Sequence, residues 1–118
     1  MSSSAVINWR ALESAPLLPG VRAAVRMGQQ MSATLFRLDP GAVVPLHHHP
    51  NEEFGQVIDG SLSITVADKT THLEPGGAFL IPGDVPHSAL AGADGCTLLE
   101  CYAPPRNPDP SSRKEKIS

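Results

Sequence analysis

Glycine and proline punctuate this chain along its whole length, with twelve prolines and ten glycines in 118 residues. Inside a helix, proline removes a hydrogen bond and clashes with the preceding turn, and glycine costs about 1 kcal/mol relative to alanine. After Pro16 nothing escapes one or the other for long. Residues 9–15 (WRALESA) predict a turn or two of helix at most. What remains open to the chain is a set of short strands joined by turns, in one domain's worth of residues.

VRAAVRM (21–27) alternates, with Val21, Ala23, Val25 and Met27 on one face. MSATLFRL (31–38) follows the Gly28-Gln29-Gln30 turn, and AVVPLHHH (42–49) follows Asp39-Pro40-Gly41. FGQVID (54–59) ends in Asp59-Gly60, a tight-hairpin signal, and SLSITVA (61–67) alternates beyond it. Asp68-Lys69 predicts a turn into TTHLE (70–74), followed by AFLI (78–81), an extended loop (81–86), HSALA (87–91) and CTLLECYA (96–103). Roughly nine strands at this spacing predict an all-β sandwich or barrel. AVINW (5–9) is a further candidate strand, placed to pack across to a second copy. The organisation expected is an N-terminal segment (1–30) packing on the barrel or a partner, a barrel (31–103) and a proline-rich tail (104–118) with a solvated end.

Only 4% of residues are aromatic, so the core has to come from Val, Leu, Ile and Ala. A net charge of -3 argues against binding a phosphate backbone, which needs a basic face. The first twenty residues carry no basic segment followed by an apolar run, and no stretch approaches the ~20 apolar residues of a membrane span. A soluble, cytoplasmic protein is expected, with no nucleic-acid or membrane partner. Cys96 and Cys101, five apart, fall on opposite faces of a strand and read as small hydrophobes rather than a disulfide.

The chemistry concentrates in HHHPNEE (47–53). Residues two apart in a strand share a face, so His47 and His49 point together while His48 points away. Glu53 opens the next strand after the Pro50-Asn51 bend, and His87 is the candidate for a fourth group from a distant strand. Three neutral imidazoles and one carboxylate suit a divalent transition metal, whether Zn, Ni, Fe, Mn, Co or Cu, and do not choose among them. His48 and His72 fit no ligand position, and Glu52 reads as a solvated neighbour. On CTLLECYA, Cys96, Leu98, Glu100 and Tyr102 share a face. If that face looks inward, Glu100 is a buried acid fit for general acid/base work, whereas facing out it is a rim or salt-bridge residue. Arg106 reads either as a clamp for a substrate carboxylate or as a solvated arginine at the start of the tail.

These spacings resemble the two motifs of the cupins. Gly41, His47, His49, Glu53 and Gly60 stand at all five positions of the first motif, and Gly76, Pro82 and His87 at those of the second. Asp84 replaces a motif glycine and Ala91 a terminal asparagine. The resemblance implies a double-stranded β-helix (jelly-roll) barrel of the RmlC-like type, a metal held inside it, and a homodimer. PGAVVPLHHHP, IPGDVPHSA and the closing ECYAPPR resemble more narrowly the small cupins of pectin and alginate breakdown, which open cyclic 4,5-unsaturated monouronates into linear keto-deoxyuronates. In those proteins an acid, an aromatic residue and an arginine follow one another at the end of the barrel. The matching positions here are Glu100, Tyr102 and Arg106, although that group typically has Asp in place of Glu100 and Gln in place of Glu53. The same ligand set equally suits an Fe- or Mn-dependent dioxygenase of the quercetinase or diketone type, a Lewis-acid polyketide-type cyclase, or a non-catalytic ligand-binding cupin. Cupin lyases of sulfonium propionates carry a Tyr two residues after the Glu ligand, where this chain has Gly55.

Overall fold

Two long strands, β5 (Glu52–Val66) and β8 (His87–Ala103), organise the fold, which a computed structural model describes over residues 5–109. Around them lie β1 (Ala15–Leu18), β2 (Val21–Met27), β3 (Ser32–Leu38), β4 (Val43–His47), β6 (Lys69–Leu73) and β7 (Ala78–Ile81). All pairings are antiparallel, and β5 runs along the whole of β8, from Glu52 opposite Ala103 to Val66 opposite His87. The first half of β5 and the second half of β8 join one sheet, ordered β1-β2-β3-β8-β5-β7. Their other halves join a second, ordered β4-β8-β5-β6. The two sheets face each other as one barrel with a shared interior.

The passage from sheet to sheet explains a departure from the sequence reading. Asp59-Gly60 does not turn the chain back. β5 continues through it, and the register slips between Val57 and Asp59 and again between Gly60 and Leu62. Gly60 and Gly95 both take positive φ, +79° and +78°. A Cβ on Gly60 would overlap the carbonyl oxygen of Gly95. The glycines therefore serve a paired bend in two strands, a use of left-handed backbone as natural as a hairpin. HSALA and CTLLECYA are likewise one strand. The true hairpin is Ala67-Asp68, one residue early, with both φ values positive as the right-handed twist of its flanking strands prefers.

Two more expectations change. AVINW is not a strand: residues 6–8 are irregular and Trp9–Ala11 is a single 3-10 turn, capped by Asn8 Oδ1 accepting from the Arg10 amide at 3.1 Å. The strand near the N-terminus is β1, whose four residues (APLL) contain Pro16 and do not alternate. The end of the tail lies outside the described residues.

Inward-facing side chains of both sheets form the core: Val57, Leu62 and Ile64 of β5, Ala91, Cys96 and Leu98 of β8, Phe36 and Leu38 of β3, Val21 and Ala23 of β2. Val57 and Leu62 are fully buried. Both cysteines are free; Cys96 is in the core, where burial pushes its thiol up to about 11, and Cys101 sits on the other face.

A candidate metal centre at one end of the barrel

His47 ends β4 and pairs in register with His87, the first residue of β8. Glu53, near the start of β5, lies opposite Tyr102 near the end of β8. One end of each sheet thus delivers its residues to the same place. His49 arrives differently. The strand expected over 42–49 ends at His47, and β4 pairs with β8 rather than β5. His49 occupies the loop between β4 and β5, whose carbonyl accepts the Asp84 amide at 2.7 Å. Asp84 has φ +63°, the conformation that favours the glycine it replaces in the cupin motif, and Asp is among the residues that tolerate it. His48 points away and lies 3.5 Å from the Asp84 carboxylate in the open; His72 is also exposed.

The ligand-bearing nitrogens of His47, His49 and His87 all lie within 4.8 Å of one another. Each imidazole turns Nδ1 toward a backbone carbonyl: Pro45 at 2.8 Å, Asn51 at 3.2 Å and Val85 at 2.8 Å. A carbonyl only accepts, so each neutral ring carries its proton on Nδ1 and presents the Nε2 lone pair inward. Glu53 Oε1 stands 3.0 Å from Nε2 of His49 and 3.2 Å from Nε2 of His87, with all three side chains buried. His87 Nε2 makes no properly aligned hydrogen bond and is an orphaned buried nitrogen. Converging lone pairs against a buried carboxylate repel one another unless a cation lies among them. The donor set therefore fits a divalent transition metal.

The charges agree. Burial lowers the His47 imidazole below its usual value and favours the neutral ring a metal needs. Burial also works against ionised Glu53, but its close neighbours His49, His87 and Glu100 outweigh that and hold the carboxyl far below its usual range. Glu100 goes the other way: burial first, then the nearby charge of Glu53, push it well above the carboxylate range. Two carboxyls side by side are thus pushed in opposite directions. The Tyr102 hydroxyl donates to Glu100 Oε1 at 2.5 Å, and burial keeps that phenol neutral.

Glu100, Tyr102 and Arg106 all face the interior, and the Arg106 guanidinium carbon lies 5.9 Å from the Tyr102 ring centre. Two residues that the sequence reading passed over hold this end together. Asn51 donates to the carbonyl of Pro104 at 2.6 Å while its own carbonyl receives His49. Ser32, fully buried, accepts from the Arg106 amide at 2.9 Å and donates to the Arg106 carbonyl at 3.1 Å. Ser32 opens β3 and Asn51 lies in the bend before β5, and no motif marks either of them. A cavity of about 250 Å³ opens beside these groups, bounded by His47, Glu53, His87, Glu100, Tyr102 and Arg106 on one side.

Residues 34–100 match the Cupin domain family. Among proteins of known name, the chain is 30% identical over 97 residues to the dimethylsulfoniopropionate lyase DddW of Ruegeria pomeroyi, an alignment covering 82% of this chain and 59% of that one. The chain therefore spans about three-fifths of the lyase's length. Among solved structures, an RmlC-like cupin from Shewanella frigidimarina superposes with a TM-score of 0.83 at 22% identity, covering 89% of this chain and 95% of that one. KdgF from Halomonas sp. gives 0.80 at 22% identity, covering 85% and 93%. Sequence match, jelly-roll architecture and the histidine cluster at the barrel's end agree, and the chain belongs to the cupin family.

Proposed function

We propose that this cupin is a metal-dependent enzyme of the lyase or isomerase type, moving a proton on a small metabolite that carries a carboxylate or an enolisable oxygen. One observation carries the reading: two adjacent buried carboxyls, Glu53 against the histidines and Glu100 beside them with the Tyr102 hydroxyl on its Oε1. His47, His49, His87 and Glu53 would hold the ion, which supplies Lewis-acid polarisation of a bound oxygen. Glu100, protonated and oriented by the Tyr102 hydroxyl, is the proton donor, and Arg106 adds positive charge for a substrate carboxylate.

Ring opening of 4,5-unsaturated monouronates is the specific reaction suggested by the order Glu100, Tyr102, Arg106. The hemiacetal hydroxyl loses a proton, the bond between the anomeric carbon and the ring oxygen breaks, and the alkene carbon away from that oxygen gains a proton. The product is an isomer, and Glu100 gives one proton and recovers the other. Sulfonium propionate cleavage, the reaction in the name of DddW, has less support. The tyrosine expected two residues after Glu53 is Gly55, and a Cβ there would already overlap the Phe79 ring. Assembly as a homodimer belongs to the same proposal, supported by the exposed Phe54, Ile58 and Leu80, and light scattering would measure it.

The test loads the full chain with Zn, Ni, Mn or Fe(II) in turn and follows the ultraviolet absorbance of unsaturated monouronates, with Glu100→Gln alongside. Metal-dependent loss of absorbance, slowed about 10²- to 10⁴-fold by Glu100→Gln, is expected. Rates no faster than the spontaneous one with every metal would remove the uronate reaction. Oxygen uptake with diketones would instead point to a dioxygenase.

A further inference from the structure

The cavity beside the metal centre is divided. Among the described residues, Ser88 is the one polar lining side chain outside the cluster of His47, Glu53, His87, Glu100, Tyr102 and Arg106. The rest of the wall is hydrocarbon: Leu17 and Leu18 from β1, Val44 from β4, Ile64 from β5 and Leu98 from β8, with Leu46 near the exposed rim. Leu98 and Ile64 are core residues whose other sides are packed, so this wall cannot turn a polar face to a ligand. A molecule entering here meets charge and hydrogen-bonding groups at one end only.

From this division we infer that the natural substrate has a polar head, a carboxylate or enolisable carbonyl, on a compact hydrocarbon body, and is not a polyol. The proton-transfer chemistry proposed above is kept, and the uronate is disfavoured as its substrate. The inference rests on the head-group chemistry proposed above and adds the nature of the body. A sugar acid bears hydroxyls around its ring, and those facing Leu17, Val44, Ile64 and Leu98 lose water without gaining a partner. An unpaired buried hydroxyl weakens binding by at least about fivefold, whereas a buried methylene strengthens it by about fourfold. The volume of about 250 Å³ is also below the roughly 300–1,000 Å³ of sites for drug-sized ligands, which limits the body to a small one.

The experiment is a calorimetric titration of the Zn-loaded full chain with acetate, butyrate, hexanoate, octanoate and dodecanoate, and with glycerate and galacturonate as hydroxylated counterparts. Affinity rising several-fold per added methylene, then levelling or falling once the cavity is full, is expected, with the hydroxylated acids weaker than alkyl acids of equal carbon number. Val44→Thr and Leu17→Gln, changes at partly buried positions, should flatten the rise. A series with no dependence on chain length, no binding by any member, or tighter binding of the hydroxylated acids would overturn the inference. The rise is measured by heat rather than turnover. If it appears while no metal form catalyses any reaction, the proposed enzyme fails and the ligand class stands.

Discussion

The inward face of the first sheet changes character along its strands, and its two halves teach different things. At one end the facing rows are Glu53, Tyr102 and Ser32, then Gly55, Glu100 and Thr34. Two residues further along, the same three strands present Val57, Leu98 and Phe36. The backbone pairing is the same in both halves; only the side chains differ. The apolar half holds the barrel together by excluding water. The polar half buries acids and hydroxyls beside the histidines, at a cost that hydrogen bonds must offset. Stability and chemistry are thus separated by position along shared strands, within a few residues of each other.

Substitutions on either side of the boundary should separate these contributions. The largest loss of stability is expected from Leu62→Ala, which empties a fully buried site in the core further along β5, beyond Val57, and should cost about 2–5 kcal/mol in denaturant unfolding. The folded protein should still bind metal with unchanged affinity, and a parallel loss of affinity would show that the halves are not independent. Gly55→Ala strikes at the boundary. The new methyl meets the Phe79 ring, and overpacking should cost about 1–3 kcal/mol unless the ring can swing away. Thr34→Val has the smallest effect and the opposite sign. The Thr34 hydroxyl is fully buried beside Glu100 without a hydrogen-bond partner. Replacing it by a methyl of the same shape should leave stability unchanged or raise it by up to about 1 kcal/mol. A loss larger than that would mean the hydroxyl is bonded in solution.

Much of this was legible in the sequence because strand alternation is a local rule. His47, Glu53 and His87 follow from spacing, and the inward face of Leu98, Glu100 and Tyr102 follows from a period of two. What could not be read depends on partners distant in sequence. Asp59-Gly60 has hairpin chemistry, and only the matching bend at Gly95 in β8 shows that β5 bends there and continues. β1 escaped notice because APLL has no alternation, and it is a strand because β2 offers an edge. His49 joins His47 and His87 by a different route from the one expected. It lies in a loop rather than a strand, held by Asn51 and the Asp84 amide. Ser32 and Asn51 were invisible as site residues because their task is to fix the backbone of residues 104–106, far along the chain.

The proposed chemistry depends on a cation at the meeting point of His47, His49, His87 and Glu53. The most direct test titrates the metal-free full chain with Co(II) and records the visible d–d absorbance, which reports ligand number and type. One equivalent is predicted to saturate the bands. His49→Ala and His87→Ala are each predicted to weaken binding by more than about 100-fold, while unfolding of their metal-free forms shifts little. Binding of several weak equivalents, or a spectrum and affinity unchanged by both substitutions, would contradict it.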